Sequence, residues 1–185
     1  GREAGCEEEI SQITSQAMRG ELDFKTSLRA RVALLKGLPI SVFDTVFKSI
    51  HLSKNAQEFI SILQKKGILV GLVSGGFTPI VERLAKSLGI SYFSANQLEV
   101  KDGFLTGKLV GEIVTGQVKN ATLEKWRKEL ELPKERTIAI GDGANDLLML
   151  KTAGHGIAFC AKEVVKAEIA CHVDTRDFLE VLPLI

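Results

Sequence analysis

Two short glycine-containing segments of the sequence carry side chains that can bind an anion or a metal ion. The first is Ser74-Gly75-Gly76, which follows the apolar run 68–73 and precedes a predicted helix. The second is Gly141-Asp142-Gly143-Ala144-Asn145-Asp146, which follows the apolar run 137–140. Glycine lets a backbone approach a ligand closely, and a helix N-terminus offers free N–H groups and a positive dipole end. Both segments are therefore candidate ligand-binding loops.

The side chains of these loops suit the parts of a metal-assisted phosphate site. The hydroxyl of Ser74 suits a phosphate oxygen, although a tight strand-to-helix turn would explain its loop equally well. Asp142 and Asp146 suit a hard divalent cation such as Mg²⁺, which prefers oxygen ligands and keeps several waters. Asn145 could contact the ligand or orient a carboxylate. A helix-start role would explain Asp146 alone, but it would not explain why glycines flank Asp142.

Lys119 lies between the two loops in the sequence, just ahead of a helix predicted to begin near Ala121. A lone lysine is usually a solvated surface residue. Its place between two phosphate-suited loops favours another role, because a fixed ammonium can bind phosphoryl oxygens and offset the repulsion between carboxylates.

The elements that must position these side chains change in character near residue 53. Residues 1–53 show narrow apolar stripes, which indicate a small helical bundle. From residue 54 onward, apolar strands alternate with helices, as is typical of a doubly wound parallel sheet with ligands at the carboxyl ends of its strands. The predicted helices are 7–19, 24–35, 40–50, 56–66, 79–88 and 121–130, and the predicted strands are 68–73, 92–93, 137–140 and 157–159, with a hairpin at 98–106.

The composition describes an ordinary soluble protein and excludes several classes of partner. Hydrophobic residues make up 45% of the chain, and 24 Lys and Arg residues are balanced by 23 Asp and Glu residues, so that no basic field suggests nucleic acid. No apolar run reaches membrane-spanning length, and the charged start does not resemble a signal peptide. Cys6, Cys160 and Cys171 are scattered without a Cys-x-x-Cys pair, which favours reduced thiols in the cytoplasm over a zinc site.

The order and local sequence of the loops resemble a known superfamily. The segment 73–77 (Val-Ser-Gly-Gly-Phe), Lys119 and the segment 141–146 resemble motifs two, three and four of the haloacid dehalogenase superfamily. The segments 17–20 (Ala-Met-Arg-Gly) and 27–32 (Ser-Leu-Arg-Ala-Arg-Val) resemble the helical cap of phosphoserine phosphatases. Further segments that fit this family are Ala95-Asn96, Lys101-Asp102-Gly103 and Ala158-Phe159-Cys160-Ala161-Lys162. The resemblance extends over essentially the whole chain.

The resemblance implies a Rossmann-like α/β core at residues 54–185 and a helical cap at residues 1–53. It implies a cytoplasmic, Mg²⁺-dependent enzyme that hydrolyses O-phospho-L-serine through an aspartyl-phosphate, the final step of serine biosynthesis. Mg²⁺ would be bound by Asp142 and supported by Asp146, through water or from behind the direct ligands. Substrate or phosphate would be bound by Ser74, Gly75, Lys119, Asn145, Arg31, Met18 and Phe24. Among these, Lys119 would be the catalytic clamp, Arg31 would read the substrate carboxylate, and Met18 and Phe24 would wall the pocket.

The first motif of the superfamily, Asp-x-Asp-x-Thr, supplies the nucleophile and the general acid/base, and it does not occur in this sequence. The chain has seven aspartates, and none lies two residues from another. Asp44-Thr45 echoes the motif, but it lies in a helical stretch and lacks the partner Asp. The first strand of the fold, which carries the motif and lies mid-sheet, would also be absent. We therefore expect a truncated chain that is inactive as written.

Two alternatives stay open at this point. A related enzyme of the same fold could act on another small phosphomonoester, or transfer the phosphate to another alcohol. A non-catalytic pseudophosphatase could have lost its nucleophile. Retention of Ser74, Lys119 and Asp142 together argues against the second alternative, because a binding module has little need for a metal-binding aspartate.

Overall fold

The computed structural model describes residues 1 and 3–185 of the chain. The α-helices are α1 (Glu7–Met18), α2 (Phe24–Ala33), α3 (Val42–Lys48), α4 (Ala56–Lys65), α5 (Thr78–Ser87), α6 (Gly116–Glu129), α7 (Leu147–Thr152) and α8 (Glu163–Lys166). The strands are β1 (Gly71–Phe77), β2 (Tyr92–Lys101), β3 (Phe104–Val110), β4 (Ile138–Gly141), β5 (His155–Phe159) and β6 (His172–Val173). Short 3-10 turns occupy Lys134–Arg136, Ala144–Asp146 and Phe178–Leu184. Within the described residues, no helix combines the length and apolar character that a membrane crossing requires.

The strands form two three-stranded sheets, with the orders β1-β2-β3 and β4-β5-β6. In the second sheet, β4 pairs with β5 and β5 with β6, both in parallel. In the first, β2 and β3 form an antiparallel hairpin around Asp102-Gly103, whose φ angles are 51° and 83°. Two successive positive φ angles are what the Asp-Gly sequence favours in a two-residue hairpin turn. The predicted α/β class with a parallel sheet is confirmed.

The chain divides into two compact units. The first unit consists of Gly1–Ile50, Ser74–Leu84 and Ser94–Ile113. The second consists of His51–Val73, Ala85–Phe93 and Val114–Ile185. The division of the chain at residue 53 into cap and core stays a prediction.

The first unit has a core between helices α2 and α3 and the β2–β3 hairpin. Asp23 begins α2 as its cap, since its side chain accepts a hydrogen bond from the backbone N–H of Thr26. The segment 37–40 pairs with β3, because Gly37 N–H donates to Leu105 O at 2.8 Å and Leu105 N–H donates to Leu38 O at 2.8 Å. The buried core residues of this unit are Leu28, Val32, Phe43, Leu98, Leu105 and Ile113.

The second unit has a core between β4, β5 and the helices that follow them. Its buried residues include Ala139, Met149, Leu150, Ala158, Val165 and Ile169. Trp126 of α6 lies against Gly71 of β1, where an added Cβ would come within 2.5 Å of the indole ring. Tyr92 meets the same ring edge-on, with the ring centroids 5.6 Å apart. Glycine is therefore required at position 71 because the indole ring of Trp126 leaves no room for a side chain there.

Asp177 ties the C-terminal segment of the second unit to the start of α4. Its carboxylate accepts hydrogen bonds from Asn55 Nδ2 at 2.8 Å and from Leu179 N–H at 3.0 Å, and it pairs with Lys54 Nζ at 2.8 Å. The hydrogen bond from Lys54 is the main cause that lowers the pKa of Asp177. The neighbouring Phe178 stacks on Phe159, with the ring centroids 4.2 Å apart.

Several predicted element boundaries were wrong. Strand β1 begins at Gly71 rather than at residue 68, because Gly67 with φ 73° ends α4 in a left-handed turn and leaves Leu69 60% exposed. It also continues through Ser74 to Phe77, so the glycines extend the strand instead of ending it. Residues 92–93 and 98–101, predicted as separate pieces, belong to the single strand β2.

Helix α6 begins at Gly116, five residues before the predicted start. The hydroxyl of Thr115 caps it by accepting a hydrogen bond from Val118 N–H at 3.3 Å. Lys119 therefore lies in the first turn of α6, not ahead of the helix.

Candidate active site

Lys119 and Asp146 form a buried ion pair in the second unit. Lys119 Nζ lies 2.6 Å from Asp146 Oδ1, and the two side chains are only 9% and 7% exposed. Charged side chains are rarely buried unless they are paired, and breaking such a pair is costly. The fold thus brings together two predicted site residues that are separated by 27 positions in the sequence.

The second carboxylate oxygen of Asp146 shapes the loop that follows β4. Asp146 Oδ2 accepts the backbone N–H groups of Asp142 at 3.2 Å and Gly143 at 3.1 Å. A Cβ added to Gly141 would come within 2.6 Å of the Asp146 Cβ, and one added to Gly143 would come within 2.5 Å of Asn145 Oδ1. Gly141 is therefore required by the close approach of the Asp146 side chain, whereas a side chain at Gly143 would first meet the carboxamide of Asn145.

Asp142 and Asn145 are the exposed polar side chains of this loop. The backbone of Asp142 is fixed, because its carbonyl oxygen accepts a hydrogen bond from Lys162 N–H at 3.1 Å. Asn145 lies against the start of α6, where a Cβ on Gly116 would come within 2.9 Å of its carbonyl oxygen. The loop therefore presents one carboxylate and one carboxamide to a ligand, on a backbone held from below by Asp146.

The oxygen donors of this loop suit Mg²⁺, and they are too few to enclose a metal ion with protein ligands alone. No group of three or more His, Cys, Asp or Glu side chains that could hold a metal occurs among residues 1 and 3–185. Mg²⁺ commonly uses one or two carboxylates and completes its octahedral shell with water and phosphate oxygens. Asp142 can supply the carboxylate, since Asp146 is already engaged by Lys119 and by two backbone N–H groups.

The first unit contains the other predicted loop. Gly76 N–H donates to Ser74 Oγ at 3.0 Å, and the side-chain amide of Asn96 donates to the carbonyl oxygen of Gly75 at 2.8 Å. Phe24, at the start of α2, lies beside the same loop, with its ring 3.8 Å from the position that a Cβ on Gly75 would take. The structure therefore brings Ser74, Gly75 and Phe24 together, and it adds Asn96, whose role was not predicted.

Arg31 and Met18 also belong to the first unit. Arg31 is half-buried on α2 and donates from Nε to the carbonyl oxygen of Ser27 at 3.3 Å. No carboxylate pairs with it among the residues that the structure describes, and its burial lowers the pKa of the guanidinium from its ordinary value. Met18 ends α1 and is 77% exposed, so it is open to solvent and not enclosed by a pocket.

A cavity of about 610 Å³ lies along the start of α4, in the second unit, and its lining includes Ser53, Asn55 and Lys65. It is lined by none of the predicted site residues. Its wall comes from one short stretch of chain, residues 52–65, so it is a surface groove and not a convergent site.

Comparison with known proteins places the chain in a family. The family model for haloacid dehalogenase-like hydrolases matches residues 3–151. The phosphoserine phosphatase of Streptococcus thermophilus is 54% identical over 185 residues, which cover 100% of this chain and 86% of that protein. The phosphoserine phosphatase of Methanocaldococcus jannaschii is 46% identical over 184 residues and is covered to 87%.

Solved structures agree with this assignment. A substrate-bound phosphoserine phosphatase complex superposes with a TM-score of 0.91 at 46% identity, covering 100% of this chain and 88% of the other. A phospho-aspartyl intermediate analogue of phosphoserine phosphatase superposes with a TM-score of 0.90 over the same shares of the two chains. The chain belongs to the haloacid dehalogenase-like hydrolases and, among them, to the phosphoserine phosphatase family.

Proposed function

We propose that the protein hydrolyses O-phospho-L-serine to L-serine and phosphate, as the last step of serine biosynthesis in the cytoplasm. The observation that carries the proposal is the buried pair of Lys119 and Asp146 beneath an exposed Asp142. A lysine held in this way is a fixed positive charge, and fixed charges stabilise phosphoryl groups during transfer at little reorganisation cost. The name shared by the relatives supports phosphoserine as the substrate.

The reaction proceeds in two displacements. An aspartate carboxylate oxygen attacks phosphorus, the bond from phosphorus to the serine oxygen breaks, and the leaving oxygen takes a proton from a general acid. Water then attacks the aspartyl-phosphate, loses a proton to the same group, and releases inorganic phosphate. Each displacement is easier than direct attack by water on the monoester, which is the gain of the covalent route.

The residues of this chain bind and orient the substrate. In the first unit, Ser74 and Gly75 bind phosphate oxygens, Arg31 binds the substrate carboxylate through its guanidinium fork, and Phe24 shields the phosphate-binding loop from water. The half-buried Arg31 supports this role, because a carboxylate ligand would supply the partner that the described residues do not give it.

In the second unit, Lys119 binds the transferring phosphoryl group and Asn145 lies near it. Asp142, with Asp146 behind it or linked through water, would hold Mg²⁺, which would supply positive charge against the phosphoryl oxygens. The exposed carboxylate of Asp142 and the engaged carboxylate of Asp146 support this division of roles.

We further propose that the nucleophilic aspartate lies outside these 185 residues. The aspartates of the chain beyond the 141–146 loop already have structural positions. Asp23 caps α2, Asp44 pairs with Arg83, Asp102 forms the hairpin turn, Asp174 pairs with Lys166, and Asp177 binds Lys54 and Asn55. In addition, β1 and β4 are the end strands of their sheets, and each has an edge that another strand could pair with.

The proposal is tested by phosphate release from O-phospho-L-serine with Mg²⁺, for these 185 residues and for the chain extended by its own upstream coding sequence. We expect no turnover from the 185 residues and turnover from the extended protein. Equal or faster release from another small phosphomonoester would favour the related-substrate alternative. An upstream sequence without Asp-x-Asp-x-Thr, together with Mg²⁺-dependent ligand binding but no turnover, would favour a pseudophosphatase.

A further inference from the structure

We infer that Asn96 is a positioning residue, which fixes the Gly75–Gly76 peptide so that Ser74 directs its hydroxyl proton at a phosphate oxygen. The inference rests on the proposed function for the role of Ser74. It concerns residues of the first unit alone. Its basis is a chain of hydrogen bonds that runs from a buried carboxamide on β2 to the hydroxyl on β1.

The carboxamide of Asn96 is buried and engaged with the loop. Asn96 is 1% exposed, and its Nδ2 donates to the carbonyl oxygen of Gly75 at 2.8 Å. A buried amide that loses its partner pays a desolvation penalty, so the Gly75 carbonyl is held strongly toward β2.

The direction of the Gly75 carbonyl decides the direction of the next N–H group. The peptide bonds of the described residues are trans, and in a planar trans peptide the C=O and N–H groups point in opposite directions. With the Gly75 carbonyl turned toward Asn96, the Gly76 N–H points the other way and donates to Ser74 Oγ at 3.0 Å. One peptide plane is thus fixed at both of its ends.

This arrangement sets what the Ser74 hydroxyl can do. A hydroxyl has one hydrogen to donate, and Ser74 Oγ already accepts from Gly76 N–H. Its hydrogen is therefore available to an acceptor such as a phosphate oxygen. Hydrogen bonds in series polarise one another, so the Asn96 donor also strengthens the hydrogen bond that Ser74 would donate.

A second contact holds Asn96 itself in register with the loop. Thr78, the first residue of α5, donates from Oγ1 to the backbone carbonyl oxygen of Asn96 at 3.1 Å. Strand β2 is thus linked through Asn96 both to Gly75 of β1 and to Thr78 of α5. The position of the Asn96 amide relative to Gly75 is determined by the backbone and not by a flexible surface side chain.

The test uses the extended protein and compares Asn96→Leu with Gln97→Leu. Asn96→Leu removes the donor at nearly constant size, whereas Gln97 is the exposed neighbour on the same strand. We expect Asn96→Leu to lower kcat/KM for O-phospho-L-serine by about 10- to 100-fold, because small misplacements of binding groups cost that much. The inhibition constant of inorganic phosphate should rise by a similar factor, and Gln97→Leu should change neither value.

A double-variant comparison and a second substitution distinguish positioning of Ser74 by Asn96 from a purely structural role of Asn96. If Asn96 acts through Ser74, Asn96→Leu should lower kcat/KM less than threefold in a Ser74→Ala background. Asn96→Ala serves if the leucine variant fails to fold, because it also removes the donor, and it should show the same loss of kcat/KM. Equal losses in the wild-type and Ser74→Ala backgrounds would overturn the inference.

A binding measurement separates this inference from the proposed function. Inorganic phosphate is titrated into the ¹⁵N-labelled extended protein, and the amide resonance of Gly76 is followed. Phosphate binding that is weakened by Asn96→Leu, without turnover of O-phospho-L-serine in the wild type, would support the inference and refute the function. Turnover that is unaffected by Asn96→Leu, or a failure of phosphate to bind, would refute the inference.

Discussion

Substitution of the buried lysine, Lys119→Met, is the most direct test of the Lys119–Asp146 ion pair in the second unit. Methionine has a similar length but no charge, so Asp146 keeps the backbone N–H groups of Asp142 and Gly143 and loses the partner of its Oδ1. Because both side chains of the pair are less than a tenth exposed, solvent cannot replace the ammonium without opening the structure. The carboxylate is left as an uncompensated buried charge.

The expected cost is about 3–5 kcal/mol in the free energy of unfolding, since this is what breaking one partner of a buried ion pair usually costs. A domain of this kind has roughly 5–15 kcal/mol of stability in total, so the variant loses a large fraction of it. The double variant Lys119→Met/Asp146→Asn buries no net charge, and its amide oxygen still accepts the two loop N–H groups. We expect it to lose only about 1–2 kcal/mol.

Urea unfolding followed by tryptophan fluorescence measures both values. The chain has a single tryptophan, and Trp126 lies on α6, the same helix as Lys119, where it reports on this unit. Catalysis should behave differently from stability, because the double variant regains stability but stays at least about 100-fold less active without its cation. A loss below about 1 kcal/mol for Lys119→Met, or a double variant no more stable than the single one, would refute the reasoning.

The remaining predictions concern other parts of the molecule. Asp142→Asn should leave the melting temperature nearly unchanged, because the side chain is exposed, and should raise the Mg²⁺ concentration needed for half-maximal activity at least about tenfold. Arg31→Lys should raise KM for O-phospho-L-serine about tenfold, because it loses the bidentate fork, and should have little effect on O-phosphoethanolamine, which lacks the carboxylate. Gly71→Ala should cost about 1–3 kcal/mol in urea unfolding, because the added methyl would lie 2.5 Å from the indole ring. Asp177→Asn should reduce thermal stability at pH 7 and have little effect at the lowest pH, because the hydrogen bond from Lys54 lowers the pKa of Asp177 in the folded state. A carboxyl with a lowered folded pKa stabilises the fold above its unfolded pKa of about 3.9 and loses that contribution as the pH falls through the folded value.

Each of these predictions has an outcome that contradicts it. For Asp142→Asn, the contradicting outcome is an unchanged Mg²⁺ concentration for half-maximal activity. For Arg31→Lys, it is an equal rise in KM for O-phospho-L-serine and for O-phosphoethanolamine. A Gly71→Ala variant as stable as the wild type would show that the indole ring moves aside without cost. A stability difference between wild type and Asp177→Asn that persists unchanged to pH 2 would assign the effect to packing instead of charge.

Local sequence signals predicted the hairpin and the class of the fold. The Asp-Gly pair at 102–103 favours a turn with two positive φ angles whatever surrounds it, and the structure has this turn. The start of α6 was harder to predict, because Gly116 weakens the helical pattern while Thr115, which caps the helix, is an ordinary loop residue in sequence. The glycines at 75–76 were predicted to end the strand. Glycine is equally compatible with a turn and with the extended strand that is observed.

In the candidate site, too, the sequence predicted which residues matter but not the contacts that explain them. Gly141, Asp142 and Gly143 were recognised from their spacing, but the reason for Gly141 is the side chain of Asp146, which only the folded loop brings within 2.6 Å of it. Asn96 carries no local signal, because an asparagine on a strand is usually an exposed polar residue. Its contact with Gly75 joins β2 to β1 across 21 positions of sequence, and such pairs are determined by tertiary packing.

The pairing of residues 37–40 with β3 has a consequence for where this sheet can accept a strand from a second chain. An unpaired strand edge is a template on which a second chain can add its own strand and begin to aggregate. Here a loop occupies that edge, since Leu105 and Gly103 bond to the backbone of Gly37, Leu38 and Ile40 at 2.8–2.9 Å. The hairpin side of the sheet is thereby protected, and β1 at the other end of the order is the edge at which this sheet can still accept a strand.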